Sequence, residues 1–290
     1  MKGIILAGGQ GTRLNPLTSH ISKQLLPVYD KPMIYYPLSV LMLANITEII
    51  IISDMHNINL YKSLLGNGSD LGLTIDYAIQ ESPKGIPDAF KVSEKFIKGE
   101  KVCLILGDNI FYGPNFSQTL AEILESNHGA IIFGYPVKDP SRFGVAEFDH
   151  KNNLVSIKEK PKKPKSNVAI TGLYFYDESV LDKVNLLKPS DRGELEISDL
   201  NELYIKEKRI KCINLGRGFA WLDSGTPDSL LDASHFIQTI EKRQGFKIAC
   251  LEEIAFNNGL IDESKIKHKI QKYGQSSDYS IYLKGLIKNG

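Results

Sequence analysis

The chain has 290 residues, 42% of them hydrophobic and 24% charged, with a formal charge of +1. That is an ordinary globular mix, and the near-zero charge excludes an overall field that would draw the chain to nucleic acid or an acidic membrane. Three widely spaced cysteines, Cys103, Cys212 and Cys250, form neither a zinc pattern nor a disulfide framework. They point to a reducing compartment, so a cytoplasmic location with no nucleic-acid or membrane partner is expected.

In chain order, Gly3 to Leu6 is a short apolar run that meets glycines at once, and it reads as a buried first strand rather than a signal peptide. Pro37 to Leu43 has helical spacing, followed by a strand at Glu48 to Ser53 and a short helix at Leu60 to Leu65. Thr74 to Ile79, Lys101 to Leu106 and Ala130 to Tyr135 read as further strands, with helices at Asp88 to Phe96 and Phe116 to Glu125 between them. Such alternation implies a mainly parallel sheet covered on both faces. Val145 to Phe148 and Leu154 to Lys158 read as a β-hairpin, followed by a charged, proline-punctuated loop at 160–165. Ala169 to Tyr176 resumes strand character and Ser198 to Lys206 is helical. The expected class is α/β: a Rossmann-like mixed, mainly parallel sheet flanked by helices, with an inserted hairpin and a helical C-terminal segment. A core over 1–225 and a helical segment over 226–290, packing on the core or at a subunit interface, are the expected units.

The strongest motif is Leu6-Ala7-Gly8-Gly9-Gln10-Gly11-Thr12-Arg13-Leu14, directly after the first strand. The carboxyl end of a parallel strand is where such sheets bind ligands. Glycines there let phosphate oxygens approach backbone N–H groups, and Arg13 adds a planar, permanently charged fork. The loop lacks the Gly-Lys-Ser/Thr ending of a P-loop. It also lacks the third glycine of a dinucleotide fingerprint, since Leu14 and Pro16 follow instead. Lys23, in Lys23-Gln24-Leu25-Leu26-Pro27, would neutralise the same phosphates; a surface lysine is the ordinary reading of it taken alone. Asp108 follows a strand in Gly107-Asp108-Asn109, and Asp223 lies in Trp221-Leu222-Asp223-Ser224-Gly225. Carboxylates beside a triphosphate suit magnesium, although either aspartate alone also reads as a helix N-cap.

Together with Lys23 to Pro37, Leu106 to Gly113, Glu159-Lys160-Pro161, Thr171 to Asp177, Arg192 to Asp199 and Gly216 to Thr226, these motifs resemble the sugar-phosphate nucleotidyltransferases over nearly the whole chain. The resemblance implies transfer of a nucleotidyl group from dTTP to glucose 1-phosphate, giving dTDP-glucose and pyrophosphate for deoxysugar synthesis of the dTDP-rhamnose type. Use of UTP or another sugar 1-phosphate is the same-chemistry alternative, and an inactive nucleotide-sugar-binding regulatory paralogue the alternative of a different class. By resemblance, Arg13 and Lys23 are catalytic. Leu6, Gly8, Gly9, Gly11, Thr12, Arg13, Gln24, Gln80, Gly85 and Asp108 meet the nucleotide. Asn109, Gly144, Glu159, Lys160, Tyr174 and Arg192 meet the sugar phosphate, and Asp108 and Asp223 hold Mg2+. A homotetramer is implied too. For Glu159, an ion pair with Lys160 or Lys162 is the plain alternative. Some positions depart from the family pattern: Gly85-Ile86-Pro87-Asp88 replaces Gly-Leu-Ala-Gln, Phe143 replaces a tyrosine, and Pro114 replaces a histidine in a stretch tied to a regulatory site. None of the six histidines sits in a catalytic motif, so positioning and charge must carry the chemistry.

Overall fold

The computed structural model describes residues 1–9, 11–125 and 129–287. In chain order its strands are β1 (Lys2–Leu6), β2 (Pro27–Val28), β3 (Lys31–Pro32), β4 (Glu48–Ser53), β5 (Thr74–Ile79), β6 (Val102–Leu106) and β7 (Asn109–Tyr112). They continue as β8 (Ala130–Pro136), β9 (Gly144–Phe148), β10 (Leu154–Glu159), β11 (Val168–Tyr176), β12 (Ile210–Asn214) and β13 (Ala220–Asp223).

β1 lies at the centre of the sheet, parallel to β4 on one side and β6 on the other, with β5 parallel to β4 at the edge. Ile4 and Ile5 point to opposite faces and both are fully buried, as are Ile49, Ile51 and Ile52 of β4. Unbroken apolar runs of this kind belong to strands covered on both sides. One face packs Ile5, Ile51, Leu38 and Phe133 together; the other packs Ile4, Ile52, Phe90 and Leu104. The sheet is mixed because β11 runs antiparallel to β6 and to β8. The near end of β11 also pairs Ala169 with Val145 of the β9–β10 hairpin, so the hairpin joins the same sheet.

The expected α/β class, its parallel strands and the inserted hairpin are all present. The helix expected over Asp88 to Phe96 is instead two short pieces, Asp88–Val92 and Glu94–Ile97. At their junction the Ser93 hydroxyl donates to the Ala89 carbonyl at 2.7 Å, a back-bond that favours bending a helix. No pattern in the sequence announces the antiparallel pair β7–β13, which carries Asp223 to the end of β6.

The C-terminal segment begins with a helix at Pro227–Gln244. Thr226 and Ser229 form its capping box, and Gly245 ends it in left-handed backbone. Its Ala233 and Ile237 pack on Val28, Met33, Tyr36 and Ile110 of the preceding chain. At its far end Glu241 accepts from Lys31 at 2.9 Å and from Lys247 at 3.2 Å, while Asp30 pairs with both lysines. The Lys31 and Glu241 side chains are 2% and 4% exposed, so this pair is dry. Removing one member of a dry pair strands the other charge, which costs far more than losing a surface pair. Here Asp30 still partners both lysines after Glu241→Ala, but the buried Ile248 N–H loses its acceptor, so a loss of about 1–3 kcal/mol of unfolding stability is expected. In urea denaturation, Glu263→Ala at the exposed Lys267 pair should change it by less than about 0.5 kcal/mol.

Candidate active site

β1, β4 and β6 all end at one edge, and the glycine loop leaves β1 there. Gly11 adopts φ 62, a left-handed conformation suited to glycine, and opens the 3-10 turn Thr12–Leu14. Leu14 is fully buried and pins that turn. Arg13 stays exposed, its guanidinium lying against Gly225, where a Cβ would meet Nη2 at 3.0 Å. A second 3-10 turn, Lys23–Leu25, brings the Lys23 ammonium onto the Asp108 carboxylate.

Asp108 follows β6 through Gly107, and β7 starts at Asn109. Because β13 pairs antiparallel with β7, Asp223 falls opposite Asn109, and the Ser224 N–H donates to the Asp108 carbonyl at 3.3 Å. The two carboxylates thus share one strand end. Burial works against ionising Asp108, but the Lys23 ammonium and the Asn109 amide outweigh it and hold the carboxyl below its usual range. Asp223 shifts the opposite way. Burial pushes it up and the Asp108 charge adds to that push, while Arg142, Arg13 and Lys23 pull it down. Arg142 Nη2 lies 3.8 Å from Asp223 Oδ2.

Two adjoining cavities meet along Ile86, Glu159, Lys160 and Ile197. The first, about 310 Å3, contains Arg13, Asp108 and Asp223 together with Glu159, Lys160 and Tyr174. The second, about 220 Å3, is bounded by Leu6, Gly8, Gly9, Gln80, Gly85 and Arg192. Glu159 accepts from the Ser198 hydroxyl at 2.9 Å and lies 3.6 Å from both Lys160 and Arg192. The plain ion pair with Lys160 is therefore present in the free protein. Lys160 holds φ 44, and its N–H donates to the Phe143 carbonyl at 3.0 Å. Left-handed backbone in a non-glycine residue costs energy and is found where the surroundings fix it, often at functional sites. Arg192 is engaged mainly with Glu196, at 2.7 Å through Nη2 and 3.2 Å through Nε. Gly85 adopts φ 96, and a Cβ there would come 2.0 Å from the Leu195 carbonyl oxygen, so only glycine lets this loop close on its neighbour.

Most of the residues singled out in the sequence line these cavities, including Gly144 and Asn109. Four take other positions, and of these Lys23 still reaches the site through its contact with Asp108. Gln24 lies under the loop, 2% exposed, where its amide oxygen accepts from the Ser22 hydroxyl at 2.5 Å. Thr12 is exposed at the turn, and Gly11 serves the turn itself. The residues that sequence reasoning missed are Arg142, Trp221, Ser198 and Glu196. Trp221 adjoins Asp223 in the motif, and its position as the sequence's single tryptophan was the available signal.

Asn109 is 3% exposed and ties the site together. Its Oδ1 accepts from Trp221 Nε1 at 2.6 Å and from the Gly172 N–H at 3.0 Å, and its Nδ2 donates to Asp108 at 2.9 Å. The described residues contain no group of three or more His, Cys, Asp or Glu placed to hold a metal ion. Two hard carboxylates side by side do suit Mg2+, which commonly takes one or two carboxylates and completes its shell with water and phosphates. Asn109→Ala would leave two buried donors without an acceptor, at about 1–3 kcal/mol each. Thermal denaturation should show that loss, and Trp221 fluorescence should shift to the red as the indole N–H turns to water.

The sequence pattern of the family described as nucleotidyl transferase matches residues 2–240. A glucose-1-phosphate thymidylyltransferase of Neisseria meningitidis is 54% identical, covering 99% of this chain and 100% of its own length. Another, of Xanthomonas campestris, is 53% identical over 100% of this chain and 98% of its own. A Bacillus anthracis structure, provisionally named a glucose-1-phosphate thymidylyltransferase and complexed with sucrose, is 40% identical with a TM-score of 0.76, covering 81% of this chain and 94% of that one. The glycine loop at the end of β1, the paired aspartates and these full-length likenesses lead to one conclusion: the chain belongs to the nucleotidyl transferase family and is a nucleotidyltransferase enzyme.

Proposed function

We propose that the chain transfers a thymidylyl group from dTTP to glucose 1-phosphate, giving dTDP-glucose and pyrophosphate, with Mg2+ as cofactor. The observation that carries this reading is the meeting of Asp108 and Asp223 with Lys23 and Arg13, beside two joined cavities of different chemistry. The cavity next to the glycine loop has apolar walls and suits a nucleotide. The other is lined by hydroxyl-binding groups. Glu159, Ser198 and Asn109 supply it with carboxylate, hydroxyl and amide groups. The names of the full-length relatives favour the same substrates.

The sugar phosphate oxygen attacks the α-phosphorus in line; one P–O bond forms as the bond to the β-phosphate oxygen breaks, and pyrophosphate leaves. A phosphate monoester loses its second proton near pH ~6, so the attacking oxygen is already anionic and no general base is required. Mg2+ bound at Asp108 and Asp223 would neutralise charge on the phosphates. Arg13 and Lys23 stabilise the crowded α-phosphate as it becomes five-coordinate. Lys160 and Arg192 hold the sugar phosphate, and Glu159 and Tyr174 face the sugar. Arg192 must let go of Glu196 to do so. UTP or a related sugar 1-phosphate fits the same chemistry, because one methyl on the base is worth only about 1–3 kcal/mol. The reading includes a cytoplasmic homotetramer serving deoxysugar synthesis. No helix among the described residues is long and apolar enough to cross a membrane.

A pyrophosphate-release panel of dTTP, UTP, CTP and ATP against several sugar 1-phosphates tests the assignment. Release should be highest with dTTP and glucose 1-phosphate and should stop with a chelator; no sugar-dependent release with any pair would overturn it. Lys160→Ala should mainly raise KM for the sugar phosphate, and Arg13→Ala should mainly lower kcat. Each effect should exceed tenfold if a charge-assisted contact of about 1.5 kcal/mol or more is lost. Light scattering should give a mass near four times the 32.4 kDa of one chain.

A further inference from the structure

The cavity beside the glycine loop holds one buried amide, and an unusual neighbour fixes its direction. Gln80 follows β5, its N–H bonded to the Ser53 carbonyl at 2.8 Å, and the residue is only 6% exposed. Its Nε2 donates to Asp88 Oδ2 at 2.7 Å. Its Oε1 lies 3.0 Å from where a Cβ on Gly8 would stand, so the carbonyl faces the glycine loop. An ionised carboxylate only accepts hydrogen bonds. Asp88 therefore takes the NH2 end of the amide and rejects the carbonyl end. A neutral partner able both to give and to accept would impose no such choice.

Leu6, Pro83 and Ile86 give this cavity apolar walls for the faces of a flat ring, with Gln80 as the side-chain amide beside them. The edge of a base then meets the amide in a fixed order. Thymine and uracil offer a ring N–H beside a carbonyl, which matches Oε1 and the second Nε2 hydrogen. Cytosine offers a bare ring nitrogen beside an amino group and matches only the flipped amide. The geometry points to Asp88 as the positioning residue that sets base choice: by holding the Gln80 amide in one orientation, it selects imide bases and excludes cytosine. This rests on the proposed nucleotide cavity, but not on the cavity's catalysis. Asp88 acts through Gln80 and touches no reacting atom.

The test is equilibrium binding of dTTP, UTP and CTP to the full-length protein with Mg2+, alongside kcat/KM for each. The wild type should prefer dTTP and UTP over CTP. In Asp88→Asn the partner can accept or donate, so Gln80 can flip. The CTP-to-dTTP affinity ratio should then rise roughly tenfold or more, the scale of one mismatched hydrogen bond in a closed site. Asp88→Glu keeps an acceptor-only group and should restore the wild-type ratio. Melting temperatures of both variants separate a loss of folding from a change of selectivity. If Asp88→Asn shifts all three nucleotides by one factor, Asp88 acts only through charge or stability and the proposal is overturned. A wild type that binds CTP as tightly as dTTP also overturns it. Failure of turnover with intact binding ratios would count against the proposed reaction alone.

Discussion

Two carboxylates that repel each other are held together by the pairing of β7 with β13. Asp108 enters from β6 through a glycine, and Asp223 arrives at the end of a strand more than a hundred residues later. Their proximity is stable because cations from three other segments surround them: Lys23 on Asp108, Arg142 beside Asp223, and Arg13 lying over Gly225. In a partly buried site such charges interact more strongly than in water. Asn109 then locks the arrangement from beneath by bonding Asp108, Trp221 and the Gly172 backbone at once. The proposed chemistry depends on this forced neighbourhood of charges.

Three of the cations around the two cavities rest against carboxylates of the same chain. Lys23 rests on Asp108, Lys160 faces Glu159, and Arg192 is clasped by Glu196. The chain can therefore gather positive groups in a small volume while its formal charge stays at +1. Any anion that takes up one of these cations must first displace a resident carboxylate.

The features legible in the sequence were those with local cause. Unbroken isoleucine runs marked β1 and β4 as covered strands, and glycines followed by Arg13 marked the end of β1. Long-range pairings leave no such mark. Nothing in Asn109 to Tyr112 or Ala220 to Asp223 announces that they are partners, so β7–β13 emerged only in three dimensions. Arg142 ends a short 3-10 turn, Pro140–Arg142, that has no helical or strand period in the sequence, and its approach to Asp223 depends on that same pairing. Gln24 shows the opposite lesson. Its neighbour Lys23 reaches the site, but one position along a 3-10 turn aims the next side chain into the core, against Ser22 and Tyr61. Asp88 was visible as a departure, and only its contact with Gln80 gave the departure a consequence.

β11 is one continuous strand of nine residues. Its far end is bonded to β6 and its near end to β9 of the hairpin. Its pairing with β8 is irregular between Ile170 and Tyr174, yet the strand runs on through both partners. One strand thus ties the hairpin that carries Gly144 and Glu159 to the strand that leads into Asp108.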